Sequence, residues 1–111
     1  MGAQVPKRVL SSPGMDRLLD ALSSQRRRLI LFTLERGYTA NESDLVFRGP
    51  GDQDDVEEEL LHHHLPKLEE AGYIEWDRET GEISKGPRYD EIEPLLTLIE
   101  DHADELPPGW L

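Results

Sequence analysis

Three consecutive histidines, His62, His63 and His64, precede Pro66 in the stretch ELLHHHLPKLEEAGYIEWD, Glu59 to Asp77. Imidazoles can ligate metal, exchange protons near neutral pH, or donate to phosphates and base edges. Successive helix positions are ~100° apart, so three neighbours fan around a helix and cannot close on one ion. A helical zinc pair needs His at i and i+4. The nearest matches, Glu58 with His62 and Glu59 with His63, are each half a site. The spacing gives no metal centre, and nothing in it asks for a cofactor. His62 and His63 read either as exposed contact residues or as solvated helix surface, and His64 as packing at the edge of the core. Pro66 costs an interior helix about 3 kcal/mol. It predicts a kink near His62 to Leu65 or a helix that starts afresh near Leu65.

The cations form a second constellation. Arg26, Arg27 and Arg28 crowd the first turns of a predicted helix, where the macrodipole disfavours positive charge. Lys67, Arg78, Lys85 and Arg88 follow the histidines. They could hold phosphates, or simply pair with abundant carboxylates. No Gly-x-Ser-x-Gly, P-loop, His-Glu-x-x-His or Rossmann glycine run is present, so a non-enzymatic role is expected.

Composition bears on the partner. The chain has 111 residues, 24 acidic against 12 basic, a net charge of −12 and a pI of about 4.6. Such a charge opposes DNA binding at ordinary salt. The basic residues are nine Arg and three Lys, and cysteine is absent. Acid-rich, Lys-poor, Cys-free composition resembles that of proteins from extreme halophiles and points to a high-salt cytoplasm; the alternative is an acidic interaction protein working at ordinary salt. In molar salt the Debye length is about 3 Å and most repulsion is screened. Disulfides and thiolate chemistry are excluded. No apolar run reaches ~18 residues, so no membrane span is expected.

Periodicity supplies the elements that must position these residues. Residues 1–14 read as a disordered tail, 15–106 as one domain and 107–111 as a C-terminal tail carrying Trp110. Met15, Leu18, Leu19 and Leu22 mark a first helix. Ser23 and Ser24 offer an N-cap for a second, Gln25 to Arg36, ended by Gly37. TANE, Thr39 to Glu42, fits a capping box opening a short helix to Phe47. RGPGDQD is a loop, and a long helix from Asp54 or Asp55 runs to Ala71, with Gly72 as its stop. YIEWD and GEIS form a β-hairpin with Gly81 in the turn. Ile92, Leu95, Leu96, Ile99 and Leu106 stripe a last helix.

This order resembles the winged-helix-turn-helix fold of ArsR-like regulators, and in particular small haloarchaeal proteins of that class. The resemblance rests on LLDALSSQRRRLILFTLERG, HLPKLEEAGYIEWD, RETGEIS and the trailing segment Tyr89 to Leu106. It implies a mainly α fold with a small β-hairpin, a winged helix-turn-helix with an added C-terminal helix. It further implies a homodimer through residues 89–106, on Ile92, Leu95, Leu96, Ile99 and Leu106. The implied function is double-stranded DNA binding in transcription regulation. Arg26, Arg27, Arg28, Lys67, Arg78, Lys85 and Arg88 would hold the backbone, and Glu58, His62 and His63 would face the groove. The alternative is a protein-interaction module on the same scaffold, with the acidic helix start as its face. Two features depart from the family pattern: the RGPGDQD loop exceeds the usual 3–4-residue turn, and the groove-facing helix begins DDVEEE.

Overall fold

A computed structural model describes residues 13–47 and 53–107. The elements run α1 (Pro13–Leu22), α2 (Gln25–Glu35), β1 (Ala40–Asn41), α3 (Glu42–Phe47), α4 (Gln53–Glu59), a π-helical turn (Leu60–His64) and α5 (Leu65–Glu70). Then follow β2 (Ile74–Trp76), β3 (Glu82–Lys85), α6 (Tyr89–Asp101) and a 3-10 turn (Ala103–Glu105). The protein is thus mainly helical with one small antiparallel sheet, in the layout of a winged helix with a trailing helix. The loop before α4 and Trp110 lie outside the described residues.

Helix α2 is the centre. Ile30, Leu31 and Leu34 are buried on one face, and Ser24 caps the helix by accepting the Arg27 amide. Gly37, at φ +87°, turns the chain where a side chain would be strained. Leu45, Leu60, Leu65, Leu68, Ile74, Ile83, Ile92 and Leu96 complete one core that joins α3, the long helix, the sheet and α6.

Three expectations need correction. The sheet has three strands in the order β1-β3-β2, where the hairpin alone was expected. Ala40 pairs with Ile83 and Asn41 with Glu82, so TANE is no Thr39 capping box. Asn41 is instead the residue whose Oδ1 accepts from the Ser43 amide and hydroxyl, while Glu42 accepts from the Trp76 indole at 2.8 Å. Glu42 thereby ties α3 to the hairpin. The first helix begins at Pro13, two residues inside the expected tail, as proline tolerates a first-turn position.

Of the two expectations at Pro66, a kink or a fresh start near Leu65, the second matches: α-helical geometry begins anew at Leu65 with Pro66 in its first positions. The backbone widens into the π turn, with the Leu65 amide bonded to the Leu60 carbonyl five residues back. A one-turn π-bulge absorbs the missing donor while keeping Leu60, His64, Leu65 and Leu68 on the buried side. In α6, Pro94 sits inside the helix, one turn deeper than its least costly place.

Candidate nucleic-acid interface

The long helix formed by α4, the π turn and α5 would be the groove-facing element of a winged helix. Its outer face is exposed at Asp54, Asp55, Glu57, Glu58, Glu59, His62 and His63. Leu60 and His64 hold the opposite face in the core. Acidic first turns suit the helix dipole, which explains the carboxylates locally. Asp55, Glu58, Glu59, His62 and His63 line one shallow hollow. Among the described residues no group of three or more His, Asp or Glu could hold a metal ion.

The arginine cluster at the start of α2 is divided by burial. Arg27 is only 4% exposed and cannot reach a phosphate. Its Nε donates to the Ala21 carbonyl at 3.0 Å. One terminal nitrogen donates to the Asp20 carbonyl and the Ser23 hydroxyl, both at 2.9 Å. The other lies 2.9 Å from His64 Nδ1. Arg27 therefore clamps the α1–α2 turn onto the π turn. Arg26 donates to the Leu45 carbonyl at 2.9 Å, and Arg28 to that of Leu22 at 2.7 Å. Burial lowers both the Arg26 and Arg27 guanidinium pKa values from their ordinary value. The expected phosphate-holding cluster is thus a packing device at Arg27, with its neighbours engaged on backbone carbonyls.

The later cations remain on the surface, each with a carboxylate partner. Lys67 pairs with Asp20 at 2.7 Å. Arg78, in the wing, donates to both Glu69 oxygens at 3.2 and 2.9 Å and covers the Trp76 ring at 4.1 Å. The Glu69 bond raises the Arg78 pKa above its ordinary value. Lys85 lies 3.5 Å from Glu93 and 4.8 Å from the Tyr89 ring centroid. Arg88 grips Glu91 at 2.8 and 2.9 Å, which also holds the Glu91 carboxyl below its ordinary pKa. Exposed pairs of this kind contribute little, so a phosphate can displace the carboxylate at little cost.

The residues assigned to a dimer contact also divide. Ile92 and Leu96 are fully buried within the protomer, packed in its own core, and are unavailable to a partner. Leu95, Ile99 and Leu106 are half-buried. Leu98, which the stripe left out, is 55% exposed beside them in sequence. His64, expected at the edge of the core, is buried. Its partner Arg27 had a signal in the sequence: it stands at i to Ile30, Leu31 and Leu34 at i+3, i+4 and i+7, the buried stripe of α2.

A protein-family model described as a domain of unknown function (DUF7344) matches residues 40–84. That span starts at the first residue of β1 and ends in β3, covering the strand, the helices and the wing but neither α1, α2 nor α6. No curated protein matches the chain, and no solved structure matches it.

Proposed function

We propose that this chain is a DNA-binding transcription regulator of winged-helix type that acts in a high-salt cytoplasm. The observation that carries the reading is the unit β1–α3–α4–α5–β2–β3. It leaves the outer face of the long helix unpacked from Gln53 to His63 and pins the wing to that helix through Arg78 and Glu69. In this reading the helix enters the major groove. Glu58 accepts from a cytosine amine, and His62 and His63 donate to bases or phosphates. Arg78 and Lys85 exchange their carboxylates for backbone phosphates, which sets register rather than sequence. The acidic face opposes approach at low salt, and molar salt screens that repulsion.

The test is selection of genomic DNA fragments by the purified chain in molar KCl, followed by sequencing. Enrichment of one site is expected. Arg78→Glu should then lower affinity about tenfold across all sequences, since it removes a phosphate contact. An unchanged affinity would remove the wing from the interface.

A second reading, a protein-interaction module, is favoured by one observation. The same helix face carries five exposed carboxylates, at Asp54, Asp55, Glu57, Glu58 and Glu59. It would suit a partner with a basic surface. Absence of DNA enrichment from folded protein, with capture of a partner that is lost on Glu57→Lys and Glu58→Lys, decides for this reading. In either reading a homodimer would use Leu95, Leu98 and Ile99. Sedimentation in molar KCl at micromolar protein should give twice the chain mass, and Leu98→Glu should give a monomer.

A further inference from the structure

Away from the acidic face, α1 and α5 present matching stripes to each other. Helix α1 offers Arg17, Asp20 and Ala21 at i, i+3 and i+4. Helix α5 with its cap offers Lys67, Glu70 and Ala71 at the same spacing. With Arg88 these residues line a hollow of about 390 Å³. That lies within the range of small-molecule sites, roughly 300–1,000 Å³. One diagonal of the two stripes is closed: Lys67 Nζ lies 2.7 Å from Asp20, whose carboxyl pKa is lowered first by that bond. The other diagonal is not closed in this way. Arg17 and Glu70 are both exposed, and Arg17 acts through its charge on Glu91, which Arg88 already grips, rather than on Glu70. Arg88 is committed to Glu91 and lines the hollow with its stem packed over Gly72. Ala21, only 3% exposed, and half-buried Ala71 provide small apolar surface between the charged ends.

The geometry points to a binding site for a small zwitterion of the α-amino acid type. Its carboxylate would pair with Arg17, its ammonium with Glu70, and a short aliphatic side chain would lie against Ala21 and Ala71. A guanidinium presents paired donors that match a carboxylate. A simple anion would leave Glu70 facing like charge, and a simple cation would leave Arg17 so. A ligand carrying both groups satisfies both, and it would cross-link α1 to the end of the long helix. The hollow shares Lys67 and Arg88 with the cations expected to hold the DNA backbone but lies away from the outer face of the long helix, and its test needs no nucleic acid.

The test is titration of the ¹⁵N-labelled full chain with L-alanine and with L-leucine in molar KCl, read by amide shifts. Saturable shifts are expected at Arg17, Ala21, Glu70 and Ala71. Acetate and methylammonium, which each carry half of the ligand's charge, should bind at least tenfold more weakly. Arg17→Ala and Glu70→Gln should each weaken L-leucine binding at least tenfold. Neither side chain makes a packing or hydrogen-bonding contribution whose loss would unfold the chain. Glu75→Gln, exposed and outside the hollow, should leave binding unchanged. Absence of saturable shifts with both amino acids would overturn the assignment. So would acetate binding as well as L-alanine, or retention of the shifts in Arg17→Ala.

Discussion

Replacing Gly86 with alanine is expected to lower stability by about 3 kcal/mol, the upper range for overpacking a close contact. The glycine is required by proximity. A Cβ there would stand 2.5 Å from the Gly72 carbonyl oxygen, 2.7 Å from the Ile74 nitrogen and 2.8 Å from the Ile74 carbonyl carbon. All three are backbone atoms, so no rotamer change relieves them. The crossing is stitched by the Gly86 amide on the Tyr73 carbonyl at 2.9 Å and the Arg88 amide on that of Gly72 at 2.8 Å. Opening it would shift the start of α6, where Tyr89 is buried and donates to Glu35 at 2.8 Å. Gly37→Ala is the control. Nothing lies within 4 Å of its would-be Cβ, so only the left-handed backbone at φ +87° is penalised, by about 1–2 kcal/mol. Urea denaturation of the two variants should therefore separate them. Equal midpoints would mean that the chain does not cross so tightly at Gly86.

The crossing at Gly86 shows what a sequence withholds. Helices α1, α2 and α6 were legible because their apolar residues recur with helical period, and the hairpin because turn residues separate two β-prone runs. Strand β1 was not, since two residues, Ala40 and Asn41, carry no period and sit in a segment that imitates a capping box. Pro66 marked the place of a backbone disturbance. Its form was set by the need to keep Leu60, His64 and Leu65 inward together, which is a tertiary demand. The cations were legible as residues but not as a surface. Lys67 meets Asp20, Arg26 meets Leu45 and Arg78 meets Glu69, partners that helical spacing does not announce. Arg88 with Glu91, by contrast, follows an i, i+3 rule. Arg27 was legible by position, on the buried stripe of α2, and was read instead by its charge. The case argues for weighing periodicity before charge when an arginine falls on an apolar stripe.

Acidification should destabilise the fold in a window set by His64. Arginine can only donate, so the 2.9 Å contact makes His64 Nδ1 an acceptor and places the ring proton on Nε2, which lies 3.8 Å from Glu59. Burial, and then the positive charges of Arg27, His63 and Arg26, depress the His64 pKa from 6.5 to about 4. In the unfolded chain the ring takes its proton near 6.5, while the folded ring refuses it until about 4. The full stability is therefore present above pH 6.5 and is lost progressively as pH falls toward 4. The shift corresponds to about 3 kcal/mol. Asp20 and Glu91, held low by Lys67 and Arg88, lose their contributions below the stretch between pH 6.5 and 5. His64→Gln keeps an acceptor for Arg27 but cannot titrate, so its stability should be flat across that stretch. His62→Gln, on the exposed face, should keep the slope of the parent chain. Arg27→Met is expected to cost about 3 kcal/mol at pH 7, since the Asp20 and Ala21 carbonyls and His64 Nδ1 lose a buried donor together. It should also shrink the slope, because removing the guanidinium lets the His64 pKa rise. Urea midpoints measured at pH 5, 6 and 7 for these four chains decide the matter. An undiminished slope in His64→Gln would show that some other group carries the acid sensitivity and that the Arg27–His64 contact does not set it.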